Sequence, residues 1–295
     1  MTDTVFSFSG STRTFAVLGH PVAHSLSPAM HNPALRAMGL DAVYLAYDVD
    51  PDHLLDVLGS MGDMGFAGVN LTIPHKEVAF QGVKRLASTA RRAGSVNTIV
   101  FHENGELEGH STDGYGLHRA LEEAFGRAFE GQHVLVLGCG GAGRAAALQA
   151  ADEGAASVRL ANRTQERADK LALEMRERCP DLTVEVCGSW PPAAEETRSA
   201  DVILQSTSQG MKKDDPPMLE PGCFREGQGF LDMTYVLKVT PTMRAAEQGG
   251  AEAVNGLGML LHQGVRSLEI WTGRDDVPVE VMREAMRSHV YGEAD

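Results

Sequence analysis

A glycine-rich turn at residues 138–143 is the part of the sequence that most directly indicates chemistry. It reads GCGGAG, follows an apolar run at 134–137 and leads into an alanine-rich stretch at 144–153. This is the G-x-G-x-x-G spacing of a turn between a buried strand and a helix, where backbone N–H groups and the helix N-terminus bind a pyrophosphate. The pattern predicts a dinucleotide site formed by Gly138, Cys139, Gly140, Gly141, Ala142 and Gly143.

Two arginines follow the next predicted strand, at the position that distinguishes NAD from NADP. The strand-like run at 157–161 ends in Asn162, Arg163 and Thr164, and Arg167 lies one helical turn further on. An acidic side chain usually binds the adenosine 2′-hydroxyl of NAD here, whereas arginines suit a 2′-phosphate. The arrangement predicts NADP as the cofactor. The alternative is that both arginines are solvated charges at a helix start.

Four short polar segments carry the side chains that could bind and convert a substrate. They are SLSP at 25–28, NLTIPHK at 70–76, NT at 97–98 and STDG at 111–114. Each lies at a predicted strand end or in a loop, where α/β proteins bind ligands. Together they supply hydroxyls, amides, the ammonium group of Lys76 and the carboxylate of Asp113, a set suited to a small polyhydroxylated acid.

Each of these residues also has a purely structural interpretation. Ser27 and Thr112 are suited to cap the helices that follow them. Asn70 and Asn97 are suited to hydrogen-bond neighbouring backbone groups. Lys76, taken alone, would be an ordinary exposed cation.

The elements that must position these groups are alternating strands and helices. In the first part of the chain, strands are predicted at 15–18, 43–49, 66–73, 96–101 and 106–109, and helices at 28–38, 51–62 and 114–125. From 134 the pattern is that of a Rossmann unit, with strands at 134–137, 157–161, 183–186, 202–204 and 230–233 and a helix at 165–178. Such alternation predicts parallel-rich sheets that are covered by helices.

The predicted fold class is α/β with two domains, for which 295 residues are a suitable length. We expect an N-terminal α/β substrate domain at 1–110 plus about 257–295, and a Rossmann NADP-binding domain at 111–256. Helices are predicted at 240–248, 259–271 and 279–288, beyond the last Rossmann strand. We therefore expect the final helices to return to the first domain.

The composition indicates a globular protein whose partner is a small molecule. Hydrophobic residues make up 43% of the chain, and 40 acidic against 26 basic residues give a formal charge of −14, which repels nucleic acid and anionic membranes. No apolar run reaches the roughly 18 residues that span a bilayer, and the N-terminal residues lack a basic segment followed by an apolar one. We expect neither a nucleic-acid nor a membrane partner.

The cysteines and histidines indicate neither disulfides nor a metal site. The four cysteines, Cys139, Cys179, Cys187 and Cys223, form no C-x-x-C pair and are typical of reduced thiols in a cytoplasmic protein. Three histidines, His20, His24 and His31, are close in sequence but fall on a strand end, a loop and a helix. We expect no metal and a cytoplasmic location.

Ten motifs, in order and with similar spacing, make the sequence resemble the shikimate dehydrogenase family, which includes shikimate and quinate dehydrogenases. They are GHP, HSLSPAMHN, VNLTIPHK, GSVNTI, STDGYG, GCGGAGRA, NRTQERA, STSQGM, DMTYVLKVTP and NGLGMLLHQG. The resemblance covers nearly the whole chain. It implies an oxidoreductase of aromatic amino acid (chorismate) biosynthesis, which reversibly reduces 3-dehydroshikimate to shikimate by NADP-dependent hydride transfer.

The resemblance also implies roles for individual residues. Lys76 and Asp113 would form the catalytic pair that handles the proton. The substrate would contact Ser25, Ser27, Thr72 and Tyr235 on its carboxylate side, Asn97, Asp113 and Gln263 at its ring hydroxyls, and Asn70. The cofactor would be held by the glycine-rich turn, by Asn162, Arg163, Thr164 and Arg167, and by Thr207, Met233 and Gly256.

The sequence departs from the family pattern near the substrate and the nicotinamide. Ser111 stands where the family usually has Asn, Gln205-Ser206 replace Asn-Ala, and Leu237 replaces a common Pro. These departures leave open a preference for quinate or an amino analogue of shikimate. A catalytically idle NADP-binding sensor is an alternative of another class, although a sensor would not need Lys76 and Asp113. Monomer and homodimer are both compatible with the sequence.

Overall fold

The computed structural model describes residues 8–292, which form two compact α/β units. The first unit contains the chain up to Asp113 and again from Gln263 onward, and the second is Gly114–His262. Each unit has its own sheet with parallel strands and its own covering helices. The predicted fold class, α/β with two domains, is therefore confirmed.

Strands and helices alternate along most of the chain. The strands are β1 (Arg13–Gly19), β2 (Ala42–Asp48), β3 (Gly68–Leu71), β4 (Arg85–Leu86), β5 (Thr98–Phe101), β6 (Leu107–His110), β7 (His133–Leu137), β8 (Ser157–Ala161), β9 (Thr183–Val186), β10 (Val202–Gln205), β11 (Gly229–Asp232) and β12 (Glu252–Asn255). The α-helices are α1 (Ser27–Ala37), α2 (Leu54–Asp63), α3 (His75–Gly82), α4 (Ser88–Ala93), α5 (Asp113–Phe125), α6 (Gly141–Asp152), α7 (Gln165–Arg178), α8 (Ala194–Arg198), α9 (Pro241–Gln248), α10 (Leu257–Thr272) and α11 (Val279–Tyr291). Short 3₁₀ segments cover Pro51–His53 and Pro221–Cys223.

The sheet of the first unit is mixed, with the order β2-β1-β3-β5-β6-β4. Strand β1 pairs in parallel with β2 and β3, while β5 runs antiparallel to both β3 and β6. The carboxyl ends of β1, β3 and β6 and the start of β5 therefore lie at the same edge of the sheet. The polar segments predicted from the sequence follow or precede these strands, so the topology brings them to one edge.

The C-terminal helices pack on the first unit, as expected. Helix α11 packs against α1. The indole of Trp271, in the last turn of α10, lies 5.2 Å from the Phe15 ring and donates a 2.9 Å hydrogen bond to the Ile99 carbonyl. Gly68 permits this approach, because a Cβ there would lie 2.4 Å from the indole. The return of the final helices is confirmed.

The second unit contains a fully parallel sheet with the order β9-β8-β7-β10-β11-β12. Counted from its own first strand this is the order 3-2-1-4-5-6 of dinucleotide-binding folds, in which the strand order reverses between β7 and β10. Both faces of β7 are buried, with Val134 and Val136 in one apolar core and Leu135 and Leu137 in the other. The continuous apolar run at 134–137 reflects this double burial.

Several short elements are absent from the sequence-based prediction. Strand β4 has two residues, β12 lies at the sheet edge, and helices α3, α4 and α8 have eight residues or fewer. Elements of this length contain too few turns or alternations to produce a clear periodicity. The most consequential omission is α3, because it carries Lys76.

The expected capping role of Ser27 is wrong. Helix α1 begins at Ser27 itself, Leu26 occupies the N-cap position, and no side chain caps the helix. The side chain of Ser27 is buried instead, near the Tyr44 hydroxyl. Because Ser27 is the first residue of the helix and not its N-cap, its hydroxyl is not placed to accept from the first N–H groups.

Candidate active site

Backbone hydrogen bonds at one sheet edge of the first unit bring the polar segments together. The Asn97 N–H donates to the His110 carbonyl at 3.0 Å, and the Leu71 N–H donates to the Asn97 carbonyl at 2.9 Å. The Val96 N–H donates to the Lys76 carbonyl at 3.0 Å, which fixes the first turn of α3 beside the start of β5. Asp113 follows β6 as the first residue of α5. Residues distant in sequence thus become neighbours.

Lys76 and Asp113 form a close ion pair at this edge. The Lys76 Nζ lies 2.6 Å from Asp113 Oδ2, and the two side chains are 30% and 18% exposed. A charge-assisted hydrogen bond of this length orients the ammonium group. Because the pair is neither fully buried nor freely solvated, it can meet a substrate hydroxyl and exchange a proton with it.

Asn97 and Gln263 complete the cluster around the carboxylate. The Asn97 Nδ2 donates to Asp113 Oδ1 and to Thr112 Oγ1, both at 2.9 Å, while its Oδ1 accepts from the Thr112 N–H at 2.8 Å. Gln263, on α10, places Oε1 3.4 Å from Asn97 Nδ2 and 3.5 Å from Thr112 Oγ1. The hydroxyl of Thr112 therefore belongs to this cluster, in addition to any role in capping α5.

Asn70 is buried in a network of its own. Its Nδ2 lies 3.0 Å from the Asn97 carbonyl, 3.1 Å from Thr98 Oγ1 and 2.9 Å from Ser267 Oγ, and its Oδ1 accepts from the Tyr44 hydroxyl at 2.7 Å. These contacts occupy the whole amide group. They agree with the structural interpretation of Asn70, and its contact with substrate stays a prediction.

Ser25, Ser27 and Thr72 lie just beyond the ends of β1 and β3. The Ser25 hydroxyl accepts from the Ser27 N–H at 3.3 Å, and the Thr72 N–H donates to the Leu18 carbonyl at 2.9 Å. The Thr72 methyl group lies 2.5 Å from the position of a Cβ on Gly19, so only glycine fits there. Three hydroxyl groups therefore follow strands β1 and β3 in the chain, beside the small residue Gly19.

In the second unit, the glycine-rich turn has the geometry that its spacing predicts. Gly138 has a φ of +97°, and Gly140 is the N-cap of α6. A Cβ on Gly143 would lie 1.8 Å from the Gly138 carbonyl oxygen, so the turn closes only around glycine. The amino terminus of α6 at the end of β7 offers N–H groups and a positive dipole end to an anion.

Asn162 connects the turn to the neighbouring strand β8. Its Oδ1 accepts from the Cys139 N–H at 2.9 Å and its Nδ2 donates to the Thr164 carbonyl at 2.8 Å. Arg163, Thr164 and Arg167 are exposed. Within residues 8–292 no hydrogen bond or ion pair engages either guanidinium group. These arginines are therefore available to an anionic ligand, as the residues of an adenosine 2′-phosphate site would be.

The remaining cofactor candidates follow the other strands of the same sheet, at their carboxyl ends. The Met233 N–H donates to the Gln205 carbonyl at 2.8 Å, and the Gly256 N–H donates to the Thr234 carbonyl at 3.0 Å. A Cβ on Gly256 would lie 2.2 Å from the Met233 carbonyl oxygen. Thr207 Oγ1 accepts from the Gln209 N–H at 3.2 Å. Thr207, Met233 and Gly256 thus share one sheet edge with the turn.

Tyr235 lies in the second unit, two residues after Met233, and is half-buried. Burial raises the pKa of its hydroxyl, which stays protonated and can donate a hydrogen bond at neutral pH. Burial likewise raises the pKa of the Cys139 thiol to about 11, so the cysteine of the turn is an inert neutral side chain.

The sequence assigned no role to Tyr44, Thr98, Ser206 or Ser267, although Thr98 lies in one of the four polar segments and Ser206 is one of the departures from the family pattern. Ser206 Oγ lies 2.9 Å from the carbonyls of both Leu137 and Gly138 and so supports the turn. Ser267 follows Gln263 by one turn of α10, a spacing that could have marked it as a neighbour. Nothing in the sequence marks Tyr44, because tyrosine is common in sheet cores, and Thr98 is marked only as part of the polar segment at 97–98.

Neither a metal centre nor a membrane span occurs in the part of the chain that the structure describes. No three side chains of His, Cys, Asp or Glu are grouped so that they could hold a metal ion. No helix among these residues combines the length and the apolar character needed to cross a bilayer.

Three segments of the chain match known domain families. Residues 17–99 match the shikimate dehydrogenase substrate binding domain. Residues 120–220 match the family described as shikimate / quinate 5-dehydrogenase, and residues 256–287 match the shikimate 5′-dehydrogenase C-terminal domain. The matches include both the segment with Lys76 and the segment with the glycine-rich turn.

Curated relatives and solved structures match over nearly the whole length. A shikimate dehydrogenase (NADP(+)) of Methanopyrus kandleri is 40% identical over 286 residues, 96% of this chain and 98% of that protein. One of Moorella thermoacetica is 43% identical over 279 residues, 94% of this chain and 93% of that protein. The crystal structure of shikimate 5-dehydrogenase from Thermus thermophilus, in complex with NADP(H) and shikimate, is 37% identical with a TM-score of 0.80, over 93% of this chain and 98% of that one.

Proposed function

The chain belongs to the shikimate dehydrogenase family, and from that premise we propose that it is an NADP-dependent enzyme that interconverts shikimate and 3-dehydroshikimate. The observation that carries the proposal is the ion pair of Lys76 and Asp113, 2.6 Å long and partly exposed, which a protein that only sensed the cofactor would not need. The first unit acts as the substrate domain and the second as the NADP-binding domain.

The reaction divides between the cofactor and the protein. NADP, when bound, supplies the hydride acceptor for oxidation of the ring alcohol. In the reductive direction the Lys76 ammonium gives a proton from Nζ to the oxygen that becomes the hydroxyl, and in the oxidative direction the neutral Nζ amine takes the proton of that hydroxyl. Asp113 holds the Nζ through Oδ2 and keeps it directed toward the reacting oxygen. Proton transfer by a side chain held in this way typically contributes a factor of about 10² to 10⁴ in rate.

The other polar groups of the first unit orient the substrate. Asn97 and Gln263 present amides to the ring hydroxyls beside Asp113. Ser25, Ser27 and Thr72, together with Tyr235, bind the carboxylate side through hydroxyl groups. Asn70 contributes to substrate binding through the four neighbours that already occupy its amide.

The second unit fits the cofactor through its backbone and its free cations. The turn is closed so tightly at Gly138 and Gly143 that a Cβ at either position would clash with its neighbours. Its N–H groups bind the pyrophosphate, and Asn162 holds the turn against β8. Arg163 and Arg167 bind the adenosine 2′-phosphate, with Thr164 beside them. Thr207, Met233 and Gly256 would hold the nicotinamide end of the cofactor.

The cellular setting follows from the same proposal. An enzyme of this activity works in aromatic amino acid and chorismate biosynthesis. The four cysteines are free thiols, as is common in the reducing cytoplasm, where we expect the enzyme to act as a monomer or homodimer.

The test is the rate of NADPH formation by the purified protein with shikimate and NADP+. Quinate, an amino analogue of shikimate, and NAD+ are assayed in parallel. We expect the highest kcat/KM with shikimate and NADP+. A higher kcat/KM with quinate would reassign the substrate within the family. Binding of NADPH without turnover of any of these alcohols would contradict an enzymatic role and favour a sensor.

A further inference from the structure

A chain of buried hydrogen bonds in the first unit ends on the Lys76–Asp113 pair. It runs from the Tyr44 hydroxyl to Asn70 at 2.7 Å, from Asn70 to the Thr98 hydroxyl at 3.1 Å, from Thr98 to Asn97 at 3.0 Å and from Asn97 to Asp113 at 2.9 Å. Tyr44 and Thr98 are fully buried, and Asn97 and Asn70 are 2% and 5% exposed. Solvent therefore does not compete for these bonds.

The carboxylate of Asp113, at one end of this chain, determines which group donates in each hydrogen bond. An ionised Asp113 can only accept, so Asn97 must present Nδ2 to it and turn Oδ1 away. That Oδ1 then needs donors, of which the Thr112 N–H at 2.8 Å and the Thr98 hydroxyl at 3.0 Å are nearest and the Thr112 hydroxyl, at 3.2 Å, is the third. Since Thr98 gives its single proton to Asn97, it must accept from Asn70.

The far end of the chain fixes the amide of Asn70 in the same way. With Nδ2 directed to Thr98, Asn70 presents Oδ1 to the Tyr44 hydroxyl, which donates. Ser267 supports this arrangement, because its hydroxyl donates to the Gln263 carbonyl at 3.0 Å and is left to accept from Asn70 at 2.9 Å. Each amide thus has one orientation that matches the donors and acceptors around it, and the two N–H bonds of Asn70 are shared among three acceptors.

We propose that Thr98 is a positioning residue for the catalytic pair, with Asn70 and Tyr44 acting behind it. The Thr98 hydroxyl holds the Asn97 amide in the orientation that donates to Asp113 Oδ1, which leaves Oδ2 to hold Lys76. The reversed amide would place its carbonyl oxygen against the carboxylate, and this repulsion would turn Asp113 away from Lys76. The inference rests on the proposed function, because it concerns the orientation of the catalytic groups Lys76 and Asp113.

The kinetic test compares Thr98→Val with Thr98→Ser. Valine has the shape of threonine without the hydroxyl, so we expect kcat to fall about tenfold, the effect of one lost hydrogen bond, with the KM for NADP+ unchanged. Serine keeps the hydroxyl and is expected to restore most of the rate. Tyr44→Phe removes the hydroxyl at the far end of the hydrogen-bond chain and is expected to lower kcat about two- to threefold.

A matched control separates positioning from the general loss of a buried hydroxyl. Thr197, in α8 of the second unit, is fully buried, and its hydroxyl donates to the Ala193 carbonyl at 3.1 Å. Thr197→Val is expected to lower the unfolding temperature without changing kcat. If Thr98→Val behaves like this control and keeps its kcat, the inference is overturned.

A crystal structure of Thr98→Val gives a readout that does not depend on activity. We expect the contact between Asn97 Nδ2 and Asp113 Oδ1 to be lost in this variant and kept in Thr98→Ser. An unchanged contact in Thr98→Val would overturn the inference even if the unmodified protein oxidised no substrate. Failure of the proposed function, by contrast, would be seen as absence of turnover by the unmodified protein.

Discussion

The two units build their sites by opposite means. In the first unit, Lys76, Asp113 and Asn97 are paired with one another in a partly or fully buried cluster. In the second unit, the turn is shaped by backbone that only glycine allows, and the cations beside it, Arg163 and Arg167, are exposed and engage no described residue. One site is held by side chains, the other by backbone geometry.

The difference fits the functions that we propose for the two sites. A proton donor must point at one atom, and a network of buried hydrogen bonds orients it before the substrate arrives. A phosphate group is recognised by charge and by several N–H groups, so exposed cations and a fixed turn suffice. Substitutions should therefore impair turnover in the first unit and cofactor affinity or stability in the second.

The largest effect is expected for Lys76→Ala. We expect kcat to fall by at least ~100-fold, the low end for loss of a general acid/base, with NADPH affinity nearly unchanged. Lys84→Ala is the matched control, because Lys84 is an exposed lysine just after α3 and its substitution removes the same charge. Steady-state rates at saturating cofactor check the prediction. A Lys76→Ala enzyme with most of its turnover would end the assignment.

Gly143→Ala tests the role of the backbone in the second unit. The added Cβ would lie 1.8 Å from the Gly138 carbonyl oxygen, so the turn must shift. We expect the free energy of unfolding of the cofactor-free protein to fall by about 1–3 kcal/mol, together with a loss of NADPH affinity. The Cβ added by Gly141→Ala would have no neighbour within 4 Å, so this variant is expected to keep its stability. Equal stability of both variants in denaturant unfolding would contradict this account of the turn.

Arg163→Ala distinguishes charge recognition from turn geometry. Loss of one charged hydrogen bond is expected to weaken NADP binding by about 10- to 100-fold, or roughly 1.5–3 kcal/mol, and to affect NAD little. The dissociation constants of the two cofactors, measured side by side, serve as mutual controls. If the affinities for NADP and NAD fall equally, Arg163 has another role and other residues determine the cofactor specificity.

The smallest effect concerns an exposed ion pair near the first site. His20 Nδ1 lies 2.5 Å from Asp48 Oδ1, and this hydrogen bond raises the pKa of His20 above 6.5 and lowers the pKa of Asp48 below 3.8. The raised pKa stabilises the fold below about pH 6.5, and this contribution is lost as the pH rises through the folded value. The Asp48 contribution is lost only as the pH falls below about 4.

His20→Gln should therefore lower the unfolding temperature slightly at about pH 5–6 and leave it unchanged above about pH 8.5. The effect is small because both side chains are half exposed. Thermal unfolding of both proteins at the two pH values is the measurement. An equally large difference at the higher pH would show that His20 acts through packing rather than charge.

How much of each site could be read from the sequence also differs between the units. The turn and the arginines were predicted from residue types alone, because Gly138, Gly143 and Arg163 lie in one strand-turn-helix-strand segment whose spacing is set by the fold. In the first unit the residues gave only a list of polar segments, and the family resemblance supplied the pairing of Lys76 with Asp113.

The rest of the first site was not predictable because its contacts are long-range. Asn70 meets Ser267 across 197 positions, and Thr98 meets Ser267 across 169. Helix α3 was missed since its eight residues produce no clear periodicity. Only the tertiary fold shows that Thr98 and Tyr44 stand behind the catalytic pair.

The most direct test of the central claim is kcat measured at saturating NADP+ and shikimate for Lys76→Ala and Arg163→Ala. The account predicts that Lys76→Ala loses at least ~100-fold in kcat, whereas Arg163→Ala approaches the unmodified rate once the cofactor is saturating. Nearly full kcat in Lys76→Ala, or an equal loss of kcat in both variants, would contradict the assignment of proton transfer to the first unit and cofactor binding to the second.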